Sequence, residues 1–178
     1  AGLQAVWAQS QEDAERLRSL GIRVPDLSQL LDQPAEVRKT LFFKRDNHWT
    51  PQGAELAAQL LAEELRKSEV FKGIARKEFV THKEGVHHKI GSLNQAFGKI
   101  CGNGYANEYF TRVLTEPKEE SSELFGDVAS PDVVLVGTSF SSAQYNFDGF
   151  IKQYAQIDVD NRSVTGGGFH SAMLQYLG

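Results

Sequence analysis

Three residues in this sequence have the types and settings that acyl chemistry needs. Asp46 and His48 stand two residues apart in the segment Phe42-Phe43-Lys44-Arg45-Asp46-Asn47-His48-Trp49-Thr50-Pro51-Gln52-Gly53-Ala54. In extended backbone, side chains at i and i+2 leave the chain on the same side, so the carboxylate and the imidazole can share a face. A carboxylate beside an imidazole can hold one ring N–H and stabilise the imidazolium that forms when the ring takes a proton. Ser139 ends the apolar run Val133-Val134-Leu135-Val136-Gly137-Thr138-Ser139. Reactive groups of open α/β sheets gather at the carboxyl ends of strands, and a serine there would stand near a helix N-terminus whose free N–H groups can stabilise an oxyanion. Asp, His and Ser in these settings are the parts of a nucleophilic hydrolase or acyltransferase.

Other arrangements use the same residues differently. Gly137-Thr138-Ser139-Phe140-Ser141 half-matches the Gly-x-Ser-x-Gly elbow of α/β hydrolases, which needs an acid and then a histidine after the serine. Asp158 or Asp160 with His170 would supply that set. Taken alone, Ser139 reads equally as an ordinary helix N-cap, and an isolated Asp-x-His pair is commonly structural. His82, His87 and His88 with Glu84 fit no tight metal-ligand spacing, so no metal site is expected. Trp49, Tyr105, Tyr109 and Tyr145 are the aromatics that a carbohydrate groove would use.

The elements that must position these groups are legible in part. Ser10-Gln11-Glu12-Asp13 resembles a capping box ahead of Ala14, Leu17 and Leu20, with Gly21 as the stop. Residues 22–24 suggest a short strand, and Pro25-Asp26 opens a short helix carrying Leu27, Leu30 and Leu31. Thr50 as cap, Pro51 in the first turn and an apolar face of Ala54, Ala57, Ala58, Leu61 and Leu65 define the surest helix. Residues 71–109 show no sustained period and read as loops or a short hairpin. Residues 116–122 are polar and read as exposed. The run 133–136 is expected to be a central parallel strand, followed by a helix over 147–155, a strand over 156–159 and a last helix after Gly166-Gly167-Gly168. The resulting expectation is a single α/β domain over residues 1–178, a three-layer sandwich with a mostly parallel sheet. Both ends read as cut, with a strand expected at each side to complete the sheet.

Composition narrows the class. The chain has 178 residues, 40% apolar and 24% charged, with a net charge of −4, which is the balance of a folded soluble domain. No run reaches the about 20 apolar residues of a membrane-spanning helix. The acidic balance gives no sign of nucleic-acid binding. The stretch 66–99 nevertheless holds eight Lys or Arg against three Glu, a pattern of a solvated face that can also attract an anionic polymer. Cys101 is the one cysteine, so no disulfide closes within this sequence.

The block Asp46-Asn47-His48-Trp49-Thr50-Pro51-Gln52-Gly53-Ala54 closely resembles the Asp-x-His-Trp-Thr signature of the SGNH-hydrolase-like alginate O-acetyltransferases, the AlgJ and AlgX type, to which a cellulose-acetylating protein is related. Val134–Ser141 is similar to the nucleophile motif of that family. Gly21–Leu27, Cys101-Gly102, Tyr145–Phe150 and Gly166–Phe169 resemble it too, in the same order along most of the chain.

The resemblance implies an SGNH-like fold and assigns roles. Ser139 would be the nucleophile, His48 its general base and Asp46 the orienting carboxylate. Tyr145, Asn146 and Trp49 would bind substrate or help hold the oxyanion. Thr138 stands where many SGNH members have Asp. The implied reaction is transfer of acetyl to hydroxyls of an exopolysaccharide, alginate favoured over cellulose, through an acetyl-Ser139 enzyme. The alternatives are a polysaccharide acetyl esterase using the same triad and a non-catalytic polysaccharide-binding subunit. No soluble cofactor is implied. The implied partners are the polymer, a membrane-bound O-acyltransferase that relays the acetyl donor, and other polysaccharide-secretion proteins. The implied place is the periplasm, with an inner-membrane anchor outside this sequence, where Cys101 would pair with a cysteine beyond it.

Overall fold

The computed structural model describes residues 2–118 and 131–178. In chain order the elements are α1 (Gly2–Ser19), α2 (Ala35–Leu41), α3 (Pro51–Arg66), α4 (Glu69–Lys72), β1 (Phe79–Lys89), α5 (Ser92–Cys101), β2 (Glu108–Pro117), β3 (Val134–Leu135), α6 (Phe147–Ala155), β4 (Asp160–Asn161) and α7 (Gly168–Leu177). One-turn 3₁₀ helices occupy Leu27–Leu30, Ser139–Ser141 and Ala143–Tyr145.

Helix α3 organises the core. Thr50 Oγ1 accepts from Gly53 N–H at 3.3 Å and Pro51 fills the first turn, the start that the sequence predicts. Ala54, Ala58 and Ala62 are fully buried. Their small side chains let α6 approach closely and pack Phe150, Ile151 and Ala155 against them, with Phe43, Tyr145, Ile157 and Val159 completing the cluster. Burying apolar area at about 25 cal/mol per Å² is the main stabilising contribution. Gly53 is required by proximity: a Cβ there would lie 2.1 Å from the Leu41 carbonyl oxygen.

The longest strands are where the sequence showed no period. β1 and β2 form an antiparallel pair from Phe79 opposite Pro117 to Lys89 opposite Glu108, with a register shift between Lys83 and Gly85. β1 is largely exposed and β2 is half exposed, and neither shows the apolar alternation that marks a half-buried strand in sequence. The α5 helix connects them. The start of α6 docks on β2 through Asn146, whose amide nitrogen donates to Thr115 Oγ1 at 2.8 Å.

The α/β class holds, and the described strands form two two-stranded pieces, one antiparallel and one parallel. The parallel piece pairs β3 with β4, and Asp160, Arg162 and Val164 N–H donate to the Val133, Leu135 and Gly137 carbonyls at 2.9 Å each. The strand expected over 156–159 therefore lies a few residues later. Gln156 takes a left-handed turn (φ 55°) after α6, and Ile157 and Val159 go to the core instead.

Two other expectations change. The predicted capping box falls inside α1, which starts earlier. Residues 22–24 form no strand. Of the polar segment 116–122, residues 119–122 lie outside the described residues. The Pro25-Asp26 start holds, as a 3₁₀ turn in which Asp26 Oδ1 accepts from Ser28 N–H at 3.0 Å.

Gly53→Ala is expected to lower stability by about 1–3 kcal/mol, since the added methyl overpacks against rigid backbone. Urea denaturation of the two proteins checks this, and an unchanged midpoint would show that the α2–α3 contact yields freely.

Candidate active site

The loop before α3 is pinned at both ends. Phe42 and Trp49 form an antiparallel bridge, and Glu108 at the start of β2 accepts from Lys44 N–H at 2.9 Å and Arg45 N–H at 2.8 Å. The bridge and these bonds turn Asp46 inward, where it is 5% exposed.

Both oxygens of that carboxylate are hydrogen-bonded. Oδ1 accepts from His48 main-chain N–H at 3.0 Å and from the ring, with Nδ1 at 2.5 Å. Oδ2 accepts from Ser92 N–H, in the first turn of α5, at 2.7 Å, and Lys89 Nζ lies 3.8 Å away. Burial pushes the Asp46 pKa up. The Ser92 bond, the two His48 bonds and the Lys89 charge outweigh it and hold the carboxyl below its ordinary value.

The tautomer of His48 follows from these contacts. An ionised carboxylate only accepts, so Nδ1 carries the proton and Nε2 of the neutral ring is an acceptor. Ser139 Oγ is 2.7 Å from Nε2. Asp46, His48 and Ser139 thus form one hydrogen-bonded chain, in an order along the sequence that puts acid and base before the serine. The chain can move the hydroxyl proton onto His48 as Ser139 attacks an acyl carbon.

Ser139 opens a one-turn 3₁₀ helix beyond β3. Thr138 caps it, accepting from Phe140 N–H at 3.4 Å. The turn closes tightly because Gly137 has no Cβ, which would lie 2.5 Å from Ser141 Oγ. Asn161 Nδ2 and Ser163 Oγ both donate to the Ser141 carbonyl, at 2.8 and 3.2 Å, so β4 supports the serine turn from behind.

The aromatic residues divide between the site and its frame. Trp49 Nε1 donates to the Phe140 carbonyl at 2.9 Å and its ring meets Phe140 edge-on, tying the His48 loop to the Ser139 turn. Tyr145 is fully buried and stacks on the His48 ring at 5.3 Å and 25°. Burial first, and then the Asp46 charge, raise the Tyr145 pKa, so it stays neutral. Asn146 is buried with its amide committed to Thr115.

The alternative histidine arrangement is not assembled. Asp158 pairs with Lys152 at 3.1 Å and Lys77 at 3.8 Å, Asp160 pairs with Arg162 at 2.7 Å, and His170 is exposed on α7. His82, His87 and His88 are strung along β1, and among the described residues no group of three metal-type ligands converges. Lys89, Gly91, Ser92 and Glu108 escaped the sequence reading. Lys89, Gly91 and Ser92 fall in the basic stretch that reads as a solvated face, and Glu108 carries no signal. Gly91 has φ 81°, and a Cβ on it would lie 2.2 Å from the Arg45 carbonyl oxygen, so only glycine lets Ser92 N–H reach Asp46.

Comparison with known proteins finds similarity along nearly all of the chain. The family model described as "SGNH hydrolase-like domain, acetyltransferase AlgX" matches residues 3–178. The alginate biosynthesis protein AlgX of Pseudomonas putida is 45% identical over 169 residues, covering 92% of this chain and 35% of that protein. The chain therefore spans about a third of that relative's length. The solved structure of Pseudomonas aeruginosa AlgX is similar with a TM-score of 0.83 at 38% identity, over 94% of this chain and 38% of that one. The O-acetyltransferase domain of Pseudomonas putida AlgJ is similar with a TM-score of 0.78 at 29% identity, over 94% and 57%.

The depressed Asp46 pKa has a sign that unfolding can read. A carboxylate held below its unfolded value of about 4 contributes stability above that pH and loses it as the pH falls through the folded value. The stability gap between the wild type and Asp46→Asn, measured by urea denaturation, is expected to be present at neutral pH and to close in acid below about pH 4. A gap independent of pH would show that the carboxylate's charge is not what holds the loop.

Proposed function

The chain belongs to the family of SGNH hydrolase-like AlgX acetyltransferase domains, and on that premise we propose that it is a single O-acetyltransferase domain, acting in the periplasm on hydroxyls of an exopolysaccharide, alginate first among them. The observation that carries this reading is the 2.7 Å contact between Ser139 Oγ and the acceptor nitrogen of a histidine whose other nitrogen is bound to a buried carboxylate. The relatives support the chemistry and the polymer: one is an O-acetyltransferase domain and another is named for alginate biosynthesis.

The reaction runs in two balanced halves. Ser139 Oγ attacks the carbonyl carbon of an acetyl donor while its proton passes to His48 Nε2. The tetrahedral adduct collapses, the bond to the leaving group breaks, and that group takes the proton from His48. A polymer hydroxyl then gives its proton to His48 as its oxygen attacks acetyl-Ser139. Collapse of the second adduct frees Ser139 Oγ, which recovers the proton, and leaves the acetyl ester on the sugar. Asp46 stays ionised throughout and stabilises the imidazolium in each half. The acetyl donor supplies all that is consumed, so the scheme calls on no cofactor. Trp49 would meet substrate beside His48, while Tyr145, which is fully buried, would back the His48 ring and Asn146 would hold the start of α6.

The same reading includes the setting. A membrane-bound O-acyltransferase would hand on the acetyl group, beside other polysaccharide-secretion proteins. Among the described residues no helix is long and apolar enough to cross a membrane. The parallel β3–β4 pair joined through α6 is the βαβ unit expected of a three-layer sandwich around a mostly parallel sheet, the finer architecture that we include in the proposal.

The test is mass spectrometry after exposure to p-nitrophenyl acetate. The wild type is expected to carry an acetyl group on Ser139. Ser139→Ala should carry none, and His48→Ala should acylate about 10²–10⁴-fold more slowly, the contribution of a positioned general base. Adding polymer should move acetyl to sugar hydroxyls faster than to water. An adduct elsewhere, or one formed at the wild-type rate without His48, would overturn the triad. Release to water alone would make the protein an esterase.

A further inference from the structure

Lys89 is buried beyond what a surface lysine needs. Its side chain is 17% exposed, on a strand most of whose residues face solvent. Its ammonium donates to Tyr145 Oη at 2.6 Å and lies 3.8 Å from Asp46 Oδ2. Those two partners are the residues that touch His48 from two directions, Asp46 at Nδ1 and Tyr145 across the ring face. Nothing in the acyl-transfer scheme uses Lys89.

From this geometry we infer that Lys89 is a positioning residue for the base: one ammonium holds both the carboxylate that orients His48 and the aromatic wall against which the ring lies. The inference rests on the proposed roles of Ser139, His48 and Asp46. The chain path explains how it works. Lys89 ends β1, and Gly91-Ser92 follow at once, so one short stretch brings a cation and a helix-start N–H to the same oxygen, Oδ2. Oδ1 is thereby left to His48, and the carboxylate cannot rotate to offer its other oxygen without giving up both partners. The phenol is fixed in the same way. A buried tyrosine hydroxyl needs a partner, and Lys89 supplies it from the β1 side.

The charge of Lys89 has a second consequence. A cation near a carboxylate–imidazole pair opposes a positive charge on the ring. Losing it would favour imidazolium, which cannot take the serine proton, and would move the acid limb of the rate profile to higher pH. The other charged and titratable groups around Lys89 are Glu108, opposite it in the β1–β2 register and bound to Lys44 and Arg45 N–H, and His87, two residues back on β1 and beside Phe110. Tyr145 is neutral, so Asp46 is the anion that Lys89 meets directly.

The experiment is the pH dependence of p-nitrophenyl acetate turnover by the wild type, Lys89→Met, Lys89→Arg and Tyr145→Phe, with Ser139→Ala as reference. Lys89→Met is expected to lose about tenfold in kcat with KM little changed, and its acid limb should move up by about half a pH unit or more. Lys89→Arg should restore the position of the limb, because it keeps the charge. Tyr145→Phe should lose rate without moving the limb, because it removes only the neutral anchor. A Lys89→Met enzyme with wild-type kcat and limb would overturn the inference, as would a loss confined to KM or a rate loss with an unmoved limb. Full turnover in Ser139→Ala would instead overturn the triad itself, so the two failures are distinguishable.

Discussion

A buried, ionised carboxylate sets the terms for the rest of this structure. Taking Asp46 out of water is costly unless its oxygens are fully bonded. It is bonded by two N–H groups and a ring nitrogen, with an ammonium beside it, and these partners come from separate parts of the chain. His48 supplies the local ones. The end of β1 supplies Lys89 and the first turn of α5 supplies Ser92. Glu108, at the start of β2, holds the loop that carries Asp46. The antiparallel β1–β2 pair is therefore the frame that keeps a carboxylate charged where it is needed, and Gly91 is the backbone joint that lets the frame close on it.

The serine reaches the same point from the other half of the molecule. Its strand is short and its turn is a single 3₁₀ loop, so its precision must come from neighbours. Asn161 and Ser163 hold the back of the turn through the Ser141 carbonyl. Trp49 holds its front through the Phe140 carbonyl. Behind them, the alanine face of α3 brings α6 close, and the position of α6 sets that of Tyr145 against His48. Rotamers locked by packing and by hydrogen bonds outside the reacting atoms are what a preorganised site requires.

This division of labour bears on the choice between transfer and hydrolysis. A triad acting as proposed would activate Ser139 and any oxygen that meets an acetyl-serine alike, and would not distinguish a sugar hydroxyl from water. Selection must come from what binds beside the serine, since differential binding of the acceptor in the transition state decides which attack is faster. Domains of one fold can thus serve as transferases or esterases with the same three residues.

The sequence by itself determined which residues are candidates for the chemistry and which elements have a local code. Asp46 and His48 are placed by an i, i+2 relation, α3 by its cap, proline and apolar face, and Ser139 by the end of an apolar run. Each of those signals is complete within a few residues. The tertiary structure brought His48 to Ser139: the residue pattern left His48 and His170 both open, with only a family resemblance favouring His48, and the separation of 91 positions carries no rule for their meeting. It also decided the β1–β2 pair, whose strands show no apolar alternation, and the support of Asp46 by Ser92, 46 positions away. Local preference is written in neighbouring residues. Long-range contact is settled by which pairings together satisfy a buried charge.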